Sequence, residues 1–217
     1  MSEPGGEAAA AGAGAGAASG AAVQIRTASA AGGFGTATGT ADRDAIAHIC
    51  IATGDAGTDA RAGGFDTAAL DALVARYATP YLDLEPAFAV VAEVDGRVVG
   101  YALGALDTAE FAAGFEQLDD LALTPGERRE HAAGLLVAQA AGFPSHLHID
   151  LLPEAQGHGL GRRLIEELLA RLAAAGSPGV HLGVDPRNSG ALAFYPRVGF
   201  VRADGAEPIF TRRLAAS

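Results

Sequence analysis

The chain has 217 residues, enough for one domain with a proper core or at most two small ones. It carries 15 basic residues, every one an arginine, against 26 acidic ones, for a formal net charge of −11. That balance argues against a nucleic-acid or anionic-membrane partner, because phosphate neutralisation needs clustered cations; it suits a cationic acceptor, or solubility alone.

Residues 1–22 are low in complexity and cannot bury enough apolar area to offset their ordering entropy, so a flexible Ala/Gly-rich tail is expected there. This start has no cation before Arg26, unlike a secretory leader. No run approaches the roughly 18 apolar residues of a membrane span, and the expected location is cytoplasmic. Structure begins near Val23, where "VQIRTA" alternates as a strand does. "DRDAIAHICIA" then places Ile46, Ile49 and Cys50 on one helical face, and the lone Cys50 reads as a small buried hydrophobe with no disulfide to form. A second helix is predicted from Asp66 to about Ala78, with Pro80 beyond its end. "AFAVVAEV" and "VVGYALGAL" flank Asp95-Gly96 and predict a hairpin. From Asp107 to about Gly142 the sequence is helical again, broken at Thr124-Pro125-Gly126. "SHLHIDLLP" reads as a strand, Gly159 to Ala175 as a helix, and "GVHLGVD" as the next strand, making one β-α-β unit. A short helix over Gly190 to Tyr195 and a last pair of strands close one α/β domain over residues 23–217, with a helical insertion around 107–142.

The predicted helix from Gly159 repeats Leu160, Leu164, Leu168 and Leu172, with Ile165 and Leu169 alongside, a stripe made to pack on a sheet. Immediately before it stands "QGHGLG". A helix start offers unpaired N–H groups and the positive end of the dipole. Gly157, Gly159 and Gly161 let an anion approach that backbone, and Arg162 and Arg163 add charge. The junction reads as a phosphate site. It matches neither the dinucleotide-binding glycine pattern nor a P-loop.

The hexapeptide Gln156-Gly157-His158-Gly159-Leu160-Gly161 resembles the [Gln/Arg]-x-x-Gly-x-[Gly/Ala] signature of the GNAT acyltransferases, and "NSGALAFYPRVGF" resembles that family's closing motif. The two cover about residues 146–205. "SHLHIDLLPE", "GVHLGV", "ATGDAG", "PYLDLEP" and "GYALGALDT" are further similar to bacterial relatives of the acetyltransferase-like domain of eukaryotic O-GlcNAc hydrolases. The resemblance implies an α/β (α+β) GNAT fold: a mixed, mostly antiparallel sheet splayed between two adjacent parallel strands and flanked by helices. It implies acetyl-coenzyme A as cosubstrate, with the pyrophosphate at Gln156, Gly157, His158, Gly159, Gly161 and Arg162, and the pantetheine arm on backbone amides near Leu151 and Leu152. Asn188 would bond the cofactor or cap the short helix. The partner would be a small-molecule or peptide amine, with no metal, nucleic acid or membrane, and the protein a monomer or homodimer.

Tyr195 matches the family's frequent general acid, against a core tyrosine as the plainer reading. Pro196 behind it is expected to end or bend the helix. Alternation puts His146, His148 and Asp150 on one strand face; Asp150 is the candidate base, or else a carboxylate that only bonds backbone at the splay. The same three residues resemble part of a metallo-hydrolase ligand run, but Leu151 stands where a further His would be needed. Asp55, Tyr77, Tyr81, Tyr101 and Asp107 are candidates for lining the acceptor pocket. The alternative function is a non-catalytic module that binds an acyl-coenzyme A or a peptide.

Overall fold

A computed structural model describes residues 21–29, 37–119 and 122–215; the expected tail over residues 1–22 lies outside the described residues as far as residue 20. Seven strands form one sheet in the order β1-β2-β3-β4-β5-β7-β6. They are β1 (Val23–Thr27), β2 (Ala89–Val94), β3 (Arg97–Ala105), β4 (Ser145–Leu151), β5 (Gly179–Gly183), β6 (Val201–Arg202) and β7 (Ile209–Arg213). Every neighbouring pair is antiparallel except β4 and β5. The β2–β3 hairpin turns on Asp95 and Gly96, whose φ values of 49° and 81° give the double left-handed turn that matches strand twist.

One face of the sheet carries α6 (Leu160–Ala174), which follows β4 and returns the chain to β5. Its leucine stripe, with Ile165 and Leu169, is buried as expected. Gly104 of β3 lets this helix lie close, since a Cβ there would stand 3.0 Å from Leu168 Cδ1. The opposite face carries α1 (Ala37–Thr53) and α3 (Thr79–Leu84), with α2 (Thr67–Tyr77) packed on both. Ile46, Ile49 and Cys50 of α1 are buried together.

Helix α3 departs from the sequence reading. Pro80, read as a terminator, occupies the first turn of this new helix, where its missing N–H is no loss. The helical insertion resolves into α4 (Thr108–Glu116) and α5 (Pro125–Leu135), the second opened by a capping box between Thr124 and Glu127. Helix α7 (Ser189–Arg197) runs one residue past Pro196 before it ends.

Leu168 is fully buried, so Leu168→Ala should lower unfolding stability by about 2–5 kcal/mol in chemical denaturation. A smaller loss would mean that Gly104 and the helix close over the cavity.

Candidate active site

Strands β4 and β5 pair only at Ser145↔Val180 and His146↔His181, and then part. On its other edge β4 stays paired with β3 as far as Gly100↔Leu151. The Leu152 N–H continues that ladder, donating to Val99 O at 2.9 Å. Leu152 is therefore not the amide donor the resemblance implied: its N–H is spent in the sheet and its side chain lies in the core. Antiparallel ladders alternate, so the amides of Ile149 and Leu151 face the opened gap instead.

The gap widens into a cleft of about 680 Å³. Gly157 and Gly159 sit at φ 80° and 79°, a conformation that disfavours any side chain, and a Cβ on either would meet nothing within 4 Å. No side chain caps Gly159, and the first helical bond is Arg163 N–H to Gly159 O. The N–H groups of Leu160, Gly161 and Arg162 therefore have no intrahelical acceptor and form an anion cradle. The Gln156 amide braces the loop by donating to Leu151 O, and Arg162 donates to Arg197 O. Both line the cleft with Gly157, Gly159 and Gly161. His158 is exposed and its side chain does not line the cleft, so any part it takes is through its backbone. Asn188 lines the cleft and caps α7, accepting from Ala191 N–H.

Asp150 stands on the cleft wall, and Tyr195 faces the same space from α7. Tyr101, directly opposite Asp150 in the ladder, donates its hydroxyl to the carboxylate at 2.6 Å. Burial pushes Asp150 up to about 6, against the opposing hydrogen bonds from Tyr101 and Thr53. Burial, and then the nearby Asp150 charge, raise Tyr195, so it remains a protonated phenol at neutral pH. Its ring packs near Phe194, Phe200 and Phe210, which fixes the direction of the hydroxyl-bearing edge.

The five acceptor-pocket candidates separate. Of them, Tyr77 alone lines a second cavity, of about 660 Å³, with its ring edge-on to His131 and His148. Tyr81 is fully buried behind that cavity, hydrogen-bonded to His146 at 2.7 Å. Tyr101 is equally buried and holds Asp150. Asp107 caps α4, accepting from Ala109 and Glu110 N–H. Asp55 is tied to Arg187 at 2.9 Å, beside the glycine-lined cleft.

His146 is committed within the protein. Thr108 Oγ1 donates to Pro144 O, so it accepts from His146 Nδ1–H, which leaves Nε2 to accept from Tyr81. With both nitrogens engaged, His146 cannot complete a His-His-Asp ligand run. Residues that sequence reasoning passed over include Thr53, Gly57 and Phe194 in the cleft, and Arg76 and His131 in the second cavity. Phe194 falls within "NSGALAFYPRVGF", and Thr53 and Gly57 within "ATGDAG", strings that gave these residues no role of their own; Arg76 and His131 come from distant segments and carry no local motif.

The fold is a sheet parted between two parallel strands, with an uncapped helix start, a buried carboxylate and a tyrosine lining the cleft at the parting. The chain belongs to the acetyltransferase (GNAT) family, whose model matches residues 59–200. Its fold is similar to the crystal structure of SsHAT, at a TM-score of 0.73 and 31% identity, over 89% of this chain and 98% of that one. A mycothiol acetyltransferase from Streptomyces griseus subsp. griseus is 46% identical over 52 residues, which are 24% of this chain; the chain spans only 17% of that relative's length. The paia N-acetyltransferase from Thermoplasma acidophilum in complex with coenzyme A shares the fold at a TM-score of 0.55 and 14% identity, over 88% of this chain and 99% of that one.

Gly159→Ala should weaken coenzyme A binding measurably in calorimetry and destabilise by roughly 1–2 kcal/mol, because only the backbone conformation resists it. Gly134→Ala, in open space on α5 at an ordinary φ, is the control and should leave binding unchanged.

Proposed function

We propose that this chain transfers an acetyl group from acetyl-coenzyme A to a primary amine by direct attack in a ternary complex. The observation that carries this reading is the uncapped start of α6 opening onto a cleft that Asp150 and Tyr195 share. The loop residues fit the cosubstrate: bare glycines and free amides suit a pyrophosphate, and the unpaired edge of β4 suits an amide-bearing arm. Gln156 and Arg162, which line the cleft, would border the phosphates, and Asn188 at the start of α7 would border the arm.

The amine must reach the thioester carbonyl unprotonated. Asp150 receives its proton, directly or through one water, and burial makes this carboxylate a stronger base than an exposed one. As the amine attacks and the carbon–sulfur bond breaks, Tyr195 supplies the proton that the departing thiolate takes up. The strings "SHLHIDLLPE" and "PYLDLEP" support placing the chain beside the acetyltransferase-like domains related to O-GlcNAc hydrolases. The mycothiol acetyltransferase match supports a small-molecule amine over a protein acceptor.

Calorimetry with acetyl-coenzyme A should show saturable heat at or below millimolar ligand, and its absence would overturn the reading. Asp150→Asn and Tyr195→Phe should keep cofactor affinity while kcat falls by about 100-fold or more. Equal thiol release by both variants and wild type would remove the assigned roles; binding with no release across a broad amine panel would make the chain a carrier module.

The pH profile supplies a separate check. Asp150 must be ionised to act, so kcat/KM should fall as pH drops through about 6. Tyr101 donates to the ionised form, and its removal favours the protonated one. Tyr101→Phe should therefore move the acid limb upward by roughly one pH unit. A limb that stays in place would mean another group sets it.

A further inference from the structure

Gly157, Gly159 and Gly161 are glycines for two different reasons. The first two hold a left-handed backbone, whereas Gly161 is the second residue of α6 and its φ is not positive. Helix propensity favours alanine at such a position, and the [Gln/Arg]-x-x-Gly-x-[Gly/Ala] signature admits one. The neighbours leave too little room. A Cβ on Gly161 would stand 3.3 Å from Phe194 Cζ, 3.4 Å from Phe194 Cε2 and 3.5 Å from Leu151 Cδ1. Carbon atoms in unstrained contact keep about 3.5–4.0 Å apart, so the Phe194 ring would have to give way.

Three elements of the cleft meet at this one Cα. Helix α6 carries the anion cradle, β4 brings Leu151 beside Asp150, and α7 brings Phe194 beside Tyr195. Both aromatic residues line the cleft, and their rings stand 5.5 Å apart at 64°. A further link comes from the next residue of α6, Arg162, whose guanidinium donates to Arg197 O at the end of α7. The last turn of α7 needs such anchors. Pro196 has no N–H to give to Leu192 O, so the helical ladder is broken just past Tyr195 and packing places this turn.

We infer that Phe194 is a positioning residue: seated against Gly161, it sets how far the Tyr195 hydroxyl stands from the anion cradle. This rests on the acetyl-transfer reading above. Coenzyme A held by its diphosphate at the cradle has its sulfur at the other end of an arm laid along β4. The sulfur is thus placed from the loop, and the hydroxyl from α7. A hydrogen bond between them holds over a range of only about 0.5 Å. Misplacement of a reacting group by about 1 Å can cost on the order of 100-fold in rate. The Gly161–Phe194 contact ties the two placements together, and a methyl group at residue 161 would push them apart.

The test labels the full chain with 13Cζ-tyrosine, which gives one signal for each of its four tyrosines. Tyr195→Phe assigns one signal by its loss. Coenzyme A is the probe, and its sulfur accepts a hydrogen bond from a phenol. At saturation it should shift the Tyr195 signal. Gly161→Ala should cut that saturated shift to about half or less, and Phe194→Leu alone should cut it too. The double variant, Gly161→Ala with Phe194→Leu, should recover most of it, because leucine leaves the room that the new methyl takes. Independent effects would not couple in this way. A merely structural contact would change the melting temperature without moving the bound Tyr195 signal. An unchanged saturated shift in Phe194→Leu would overturn the inference, as would a loss in Gly161→Ala that the second substitution does not recover. Without ligand, Gly161→Ala should already move the Tyr195 signal and leave that of Tyr81, which is held against His146. Absence of coenzyme A binding by the unaltered chain would therefore sink the transfer reading alone, while the ligand-free signals still decide the contact.

Discussion

The parting of β4 from β5 is the constraint on which the rest of the molecule depends. Parallel neighbours normally share a full ladder, and a strand edge left unpaired inside a fold carries orphaned N–H and C=O groups. Here the edge can stay open because each strand is held firmly on its other side. β4 is bonded to β3 along its whole length, and β5 to β7. The gap is thus a built feature of a rigid sheet. The strand leaving it must turn within a few residues, which brings the α6 amides to the mouth of the cleft. A ligand that fits the open edge therefore meets the anion cradle as well.

Period-two alternation then assigns the two faces of β4 to different tasks. Leu147, on the odd-numbered side, is buried towards α6, and Leu151 lies 3.5 Å from where a Gly161 Cβ would stand. His146, His148 and Asp150 face the α1 and α3 side, where the partners are tyrosines. A slip of one residue in the β3–β4 register would exchange these sets and put leucines in the site. Tyr101 opposite Asp150 and Gly104 beneath Leu168 both resist such a slip, one by a hydrogen bond and one by close packing.

What could be read from the sequence was whatever is written locally. The leucine stripe of α6, the Asp95-Gly96 turn and the glycine loop each sit within a few residues of one another, and all stand where their spacing put them. Asp150 and Tyr195 were reachable because alternation and a family-like motif pointed to them. The misread residues depend on partners far along the chain. Tyr81 meets His146 across 65 positions, and Tyr101 meets Asp150 across 49. No spacing rule says that a tyrosine near a helix end will support a histidine and not face solvent. The second cavity was beyond reach for the same reason: α2, α5, β4 and β5 each contribute a few residues, and no pattern in one of them says that the others will meet it.

Distance from the fork explains why chemically similar residues on β4 differ in what they can do. His146 stands at the last rung where β4 and β5 are still paired, and there the protein closes around it and satisfies both its nitrogens. His148 is one step on, where the strands have parted, and its Nε2 is left over. Asp150 is a further step on, facing a space wide enough for a ligand, with the Tyr101 hydroxyl donating to it. The same desolvation acts along the whole row but with opposite chemical results. It keeps the imidazoles uncharged and makes the carboxylate more basic. One strand thus carries a fully bonded imidazole, an uncharged imidazole and a more basic carboxylate in sequence. On the far wall of the same cleft α7 brings Tyr195, buried among aromatics.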